Sequence, residues 1–204
     1  MKYILVTGAG GGMGAATVKL LAERGYGVFA LDKKAGEAGK NIIPAEADVT
    51  DAESLKKGSR IIITTSELAP LDPLPFTGIY AVSKGALDKY AYSLRMELQL
   101  LGICVSVIRA GAVKTGMLGV STKELENFCG NTQIYRYNAA RFRDIVDSVE
   151  AKSVLPEKIA MKTLGILQKK NPAFAYGINR NPLLRLRDAM PKRIQLFAIR
   201  RILK

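Results

Sequence analysis

Short apolar runs alternate along the chain with longer stretches in which apolar positions recur at helical spacing. Residues 3–6 form the first apolar run, which ends in Thr7-Gly8-Ala9-Gly10-Gly11-Gly12-Met13-Gly14. Residues 13–24 then place Ala16, Leu20 and Leu21 on one helix face, with Gly25 as the stop. A second buried strand over 28–31 closes on Asp32. The pattern predicts a third strand over 42–49. It also predicts a two-turn helix over 51–58, opened by the capping box Thr50-Asp51-Ala52-Glu53 and ended by Gly58. A strand over 60–65 ends at Ser66, a long helix runs from near Tyr80 to about residue 101, and a strand follows over 103–108. Helical spacing returns over 122–128 and 135–150, and again over 156–169, where Pro156 takes the favoured first helical position. A short strand over 174–178 precedes two basic helices, opened by Pro182 and Pro191.

Composition narrows this picture. The 204 residues are 48% hydrophobic, which suits one domain with a sizeable core. No apolar run has the length of a membrane span, and the first residues lack the charged-then-apolar order of a signal peptide. With no histidine, a zinc site or a Ser-His hydrolase is not expected, and no metal site is assigned. Cys104 and Cys129 have no evident pairing, so a reducing, cytoplasmic setting is the simplest expectation.

The formal charge of +13 is uneven: Arg180, Arg185, Arg187, Lys192, Arg193, Arg200, Arg201 and Lys204 face Asp188 alone in the tail over 180–204. Such a tail suits a membrane surface, nucleic acid or an acidic partner, and the plain alternative is a solvated basic face.

The first candidate chemistry lies in the strand, glycine turn, helix, strand, acid order of residues 3–32. Glycines let the backbone approach a pyrophosphate, and the helix N-terminus supplies N–H donors and the positive dipole end. Asp32, about twenty residues on, is placed to accept ribose hydroxyls, which argues for NAD; Lys33 and Lys34 keep NADP open, and Asp32 as a plain turn residue is the bland reading. Asp48, at the end of the third strand, is placed to contact an adenine edge.

The second candidate is Tyr80 with Lys84, four apart and so on one helix face. An ammonium beside a phenol favours the phenolate, drawing the tyrosine pKa down from about 10. A phenol so tuned exchanges a proton with a carbonyl or alcohol oxygen. An ordinary exposed helix pair would have the same spacing.

Together these motifs resemble the short-chain dehydrogenase/reductase family. Thr7, Gly8, Gly12 and Gly14 match its Thr-Gly-x-x-x-Gly-x-Gly turn, within which Gly10 and Met13 also lie. Tyr80 and Lys84 match its Tyr-x-x-x-Lys, and Ser66 stands at about its serine position. Thr115 matches a threonine that follows a Pro-Gly pair, here Ala110-Gly111, with Val113 between them.

The resemblance implies an α/β fold: a Rossmann-like three-layer αβα arrangement with a mostly parallel doubly wound sheet, followed by C-terminal helices. It implies Tyr80 as general acid/base, Lys84 holding the nicotinamide ribose, Ser66 bonding the substrate oxygen, and the Gly111, Val113 and Thr115 segment seating the nicotinamide. The chain departs from the family in one place. No Asn-Asn-Ala-Gly occurs, so the sheet is expected to be shortened by one strand–helix unit, with the Ser66 strand free to slide beside the first strand.

The function implied is NAD(P)-dependent interconversion of an alcohol with a ketone or aldehyde, on a small substrate of hydrophobic character suggested by the tail. A homo-oligomer and peripheral membrane contact are compatible partners, and nucleic acid is not expected. The alternative is a dinucleotide-binding protein with little or no catalysis, because the central segment is missing.

Overall fold

The computed structural model describes residues 3–32, 37–45 and 60–204. The first half-sheet is built from β1 (Tyr3–Thr7), β2 (Gly27–Leu31) and β3 (Ile42–Ala45), all parallel and in that spatial order, with α1 (Gly12–Glu23) crossing between β1 and β2. The second is built from β4 (Arg60–Ser66), β5 (Cys104–Ala110) and β6 (Ala175–Ile178), again parallel and in order. α2 (Gly78–Leu98) crosses between β4 and β5, and α3 (Gly116–Asn131), α4 (Arg136–Glu150) and α5 (Pro156–Leu167) lie between β5 and β6. α6 (Pro182–Asp188) and α7 (Lys192–Leu203) complete the chain. Parallel pairing requires covering crossovers, and the apolar runs of β2 and β5 are buried accordingly.

The expected doubly wound α/β arrangement is present, but the sheet is interrupted. β4 does not take a place beside β1: no strand hydrogen bonds join the two half-sheets among the described residues. On the edge strand β1, Leu5 stays 56% exposed. Helices make the connection instead. Leu164 of α5 packs with Val18, Leu21, Val28 and Ala30 of the first half, while Ile159 and Ile166 of the same helix pack with Ile108, Ala110 and Val113 of the second. Met13, in the first turn of α1, reaches across into that second cluster. Each such side chain contributes roughly 1.5–3 kcal/mol by burial. That is comparable to several ladder hydrogen bonds at about 1 kcal/mol net each, so packing can replace the missing ladder.

Element boundaries largely follow the periodicity. α3 starts at Gly116, earlier than the helix predicted over 122–128. The third strand is described only to Ala45; the predicted helix over 51–58, Lys33, Lys34 and Asp48 lie outside the described residues.

Candidate active site

The glycine turn follows β1, at the C-terminal edge of the first half-sheet. Gly8 has φ of +66°, a conformation that side chains resist. Gly14, in the first turn of α1, lies so close to the Gly8 carbonyl oxygen that a Cβ there would overlap it. Gly14→Ala is therefore expected to cost about 1–3 kcal/mol of stability and to weaken NADH or NADPH binding. Denaturant unfolding and calorimetric titration of the variant check both. The turn is also tied to Asp32, whose carboxylate accepts the Gly10 N–H at 2.8 Å. A carboxylate accepts several hydrogen bonds, so this bond is compatible with a ribose-binding role and orients the group.

The second half-sheet supplies the facing wall. A Cβ on Gly12 would lie 3.1 Å from Thr115 Cγ2, so the glycine turn and the segment after β5 are in contact. Thr115 is the N-cap residue of α3, although its side chain makes no capping bond. Val113 is buried and bridges to Val154, and Lys114 N–H donates to the Val154 carbonyl at 2.8 Å. Asn179, in the left-handed region at φ 50°, donates from Nδ2 to the Ala112 carbonyl at 2.9 Å and to the Lys152 carbonyl at 3.0 Å. Its own carbonyl lies against Gly111, where any Cβ would overlap it.

Ser66 ends β4, buried and paired in register with Ala110. Its Oγ accepts the Leu68 N–H at 3.2 Å. Tyr80 stands in the first turn of α2, 44% exposed, and the Lys84 ammonium lies 5.7 Å from its ring centroid. The helix thus delivers Tyr80 and Lys84 together. No hydrogen bond joins Ser66, Tyr80 and Lys84 to one another among these residues.

What sets α2 against the sheet is a buried ion pair that the sequence reading did not single out. Asp88 of α2 accepts from Arg109 of β5 at 3.0 Å and 2.7 Å, and Thr65 Oγ1 bonds the same carboxylate at 3.3 Å. Thr65 and Arg109 immediately precede Ser66 and Ala110, so this bond fixes the Tyr80 helix relative to the Ser66 strand. The four-residue step from Lys84 to Asp88 was the only sequence signal, because it continues the Tyr80–Lys84 stripe.

Glu67 was also missed. It is buried beside Ser66 and accepts the Asn181 N–H at 2.6 Å. Burial pushes its carboxyl above the usual range, opposed by that N–H and by the charge of Arg180. A raised folded pKa contributes stability that is full below the unfolded value and is lost as pH rises through the folded value. Glu67→Gln retains an acceptor for Asn181. It should therefore melt level with wild type in acid, where Glu67 is protonated, and above it at neutral pH. Melting curves across pH test this, and a variant that melts lower at neutral pH would contradict it.

The model of the family described as short chain dehydrogenase matches residues 2–59 and 52–126, two segments that overlap over residues 52–59. A 3-ketodihydrosphingosine reductase of Bacteroides thetaiotaomicron is 20% identical over 264 aligned positions, covering 98% of this chain and 97% of the relative. Those positions outnumber the 204 residues of the chain, so the relative carries stretches without a counterpart here. Versicolorin reductase stcU of Emericella nidulans is 26% identical over 62% of this chain and 75% of its own length. Among solved structures, a short chain dehydrogenase family protein from Francisella tularensis superposes with a TM-score of 0.67 at 20% identity, covering 87% of this chain and 97% of that one. With its glycine turn, its Tyr80–Lys84 helix and a family match running from residue 2 to 126, the chain belongs to the short chain dehydrogenase family of oxidoreductases.

Proposed function

We propose that the chain interconverts an alcohol with a ketone or aldehyde, using NAD or NADP. The observation that carries this reading is the close approach of Gly12 to Thr115, where the glycine turn and the segment after β5 meet despite the interrupted sheet. Thr7, Gly8, Gly10, Gly12, Met13 and Gly14 would hold the pyrophosphate, Asp32 the adenosine ribose, and Gly111, Val113 and Thr115 the nicotinamide end. The cofactor supplies or accepts the hydride. Tyr80 gives its phenolic proton to the carbonyl oxygen in reduction and recovers one in oxidation. Lys84 places a positive charge beside that ring and bonds the nicotinamide ribose, and Ser66 Oγ orients the substrate oxygen. The similar solved structures of BdcA in complex with NADPH and of 4-hydroxyisoleucine dehydrogenase complexed with NADH support either cofactor. Asp32 favours NAD, since a carboxylate repels a 2′-phosphate.

The substrate is proposed to be hydrophobic, in line with relatives named for 3-ketodihydrosphingosine, versicolorin and a 17-beta-hydroxysteroid. A cytoplasmic setting is proposed with it; no described helix is long and apolar enough to cross a membrane. Exposed Ile79, Val82 and Tyr90 give α2 an apolar outward surface for a homo-oligomer contact.

Calorimetric titration with NADH and NADPH, followed by turnover of hydrophobic ketones, tests the reading. Tight binding of one cofactor with reduction of a ketone is expected. Binding without turnover would favour the non-catalytic dinucleotide-binding alternative, and no binding by a folded chain would end the proposal.

A further inference from the structure

The last helix presents two unlike faces. Its inner face is locked: Gln195 is buried and donates to Asp72 Oδ2 at 3.0 Å and to the Met190 carbonyl at 2.9 Å, while Asn138 Nδ2 donates to the Leu203 carbonyl at 2.6 Å. Lys192 pairs with Asp72, and Arg187 of α6 donates to the Asp72 and Pro73 carbonyls. The contacts of Lys192 and Gln195 hold the Asp72 carboxyl below the usual range. The tail is therefore clamped onto the loop that joins Ser66 to Tyr80.

The outer face is unlike a solvated basic surface. At 100° per residue, Leu196, Arg200, Arg193, Phe197, Arg201 and Ile194 fall within an arc of about 160°. Leu196 is 71% exposed, Phe197 70% and Ile194 50%. None of the three arginines pairs with a carboxylate among the described residues.

We propose that this outward face of α7 is a docking surface for an anionic lipid bilayer. Apolar side chains interleaved with unpaired cations fit the interfacial region, where hydrocarbon meets anionic headgroups. A second copy of the same face would bring like charges together. Nucleic acid would pair with the arginines and leave Leu196 and Ile194 in water. The clamp at Asp72 then holds the loop between Ser66 and Tyr80 close to the membrane.

The experiment is co-sedimentation of the full chain with vesicles of phosphatidylcholine alone and of phosphatidylcholine mixed with phosphatidylglycerol. The chain is expected to pellet with the anionic vesicles and to be released by salt. The triple variant Arg193→Gln/Arg200→Gln/Arg201→Gln should bind about a hundredfold more weakly, at about 1 kcal/mol per cation. Leu196→Asp/Phe197→Asp should lose binding as well. Both variants change exposed positions, and circular dichroism verifies that they fold. A wild-type chain that stays in solution with anionic vesicles overturns the proposal. So does binding that survives Leu196→Asp/Phe197→Asp, and capture by duplex DNA in that case would assign the face to nucleic acid. Titration of the same preparations with NADPH reads the cofactor site separately, so failure there does not touch the membrane result.

Discussion

A Tyr80→Phe chain is expected to bind NADH or NADPH as wild type does and to turn over a ketone roughly 100- to 10,000-fold more slowly, the usual contribution of a positioned acid or base. The geometry makes this substitution clean. Tyr80 is 44% exposed, and no hydrogen bond to its hydroxyl is present among the described residues, so its removal leaves none of them unsatisfied. Melting temperature and cofactor affinity should therefore stay with wild type while kcat falls. Full turnover in the variant would sink the proposed acid/base role. A loss of cofactor binding would instead place Tyr80 in the binding site alone.

The largest effect on stability is expected from Asp88→Ala. The side chains of Arg109 and Asp88 are 20% and 10% exposed and lie 2.7 Å apart. Removing one partner of such a pair leaves a largely buried charge without its counter-ion, at a cost of about 3 kcal/mol. For a chain of this size that corresponds to a fall in Tm of about 6–12 °C. Thr65 loses its acceptor in the same variant. The double variant Asp88→Ala/Arg109→Ala should recover part of the loss, because the stranded guanidinium is gone. Turnover should fall with the single variant even where the protein is folded, since the pair sets α2 and hence Tyr80 against β4. A Tm change of less than about 2 °C would show that the pair does not anchor the helix.

Much of the candidate site was legible before the fold. Tyr80 and Lys84 share a face because helix geometry puts positions four apart together, whatever the rest of the chain does. The turn over residues 7–14 could be read because it sits between a strand and a helix pattern, and Gly8 and Gly14 turn out to be required by a left-handed φ and a close carbonyl approach. Asp32 closes its strand as expected, and its bond to Gly10 was hidden because it spans two elements. Glu67 could be seen in the sequence beside Ser66, but nothing local reveals that it is buried under Asn181, more than a hundred residues away.

The sequence alone determined the glycine turn, the Tyr80–Lys84 stripe and the order and kind of the elements over the described residues. These follow from local periodicity and spacing, which involve residues within a few turns of one another. Only the tertiary structure decided how the two half-sheets are joined. β4 does not move beside β1; α5 and Met13 join two half-sheets by apolar packing, and Gly12 meets Thr115 across the join. The Asp88–Arg109 pair, the Glu67–Asn181 bond and the clamp of α6 and α7 on Asp72 belong to the same class. Each depends on side chains far apart in sequence, whose meeting is set by the packing of whole elements and leaves no mark in the local pattern of apolar and polar residues.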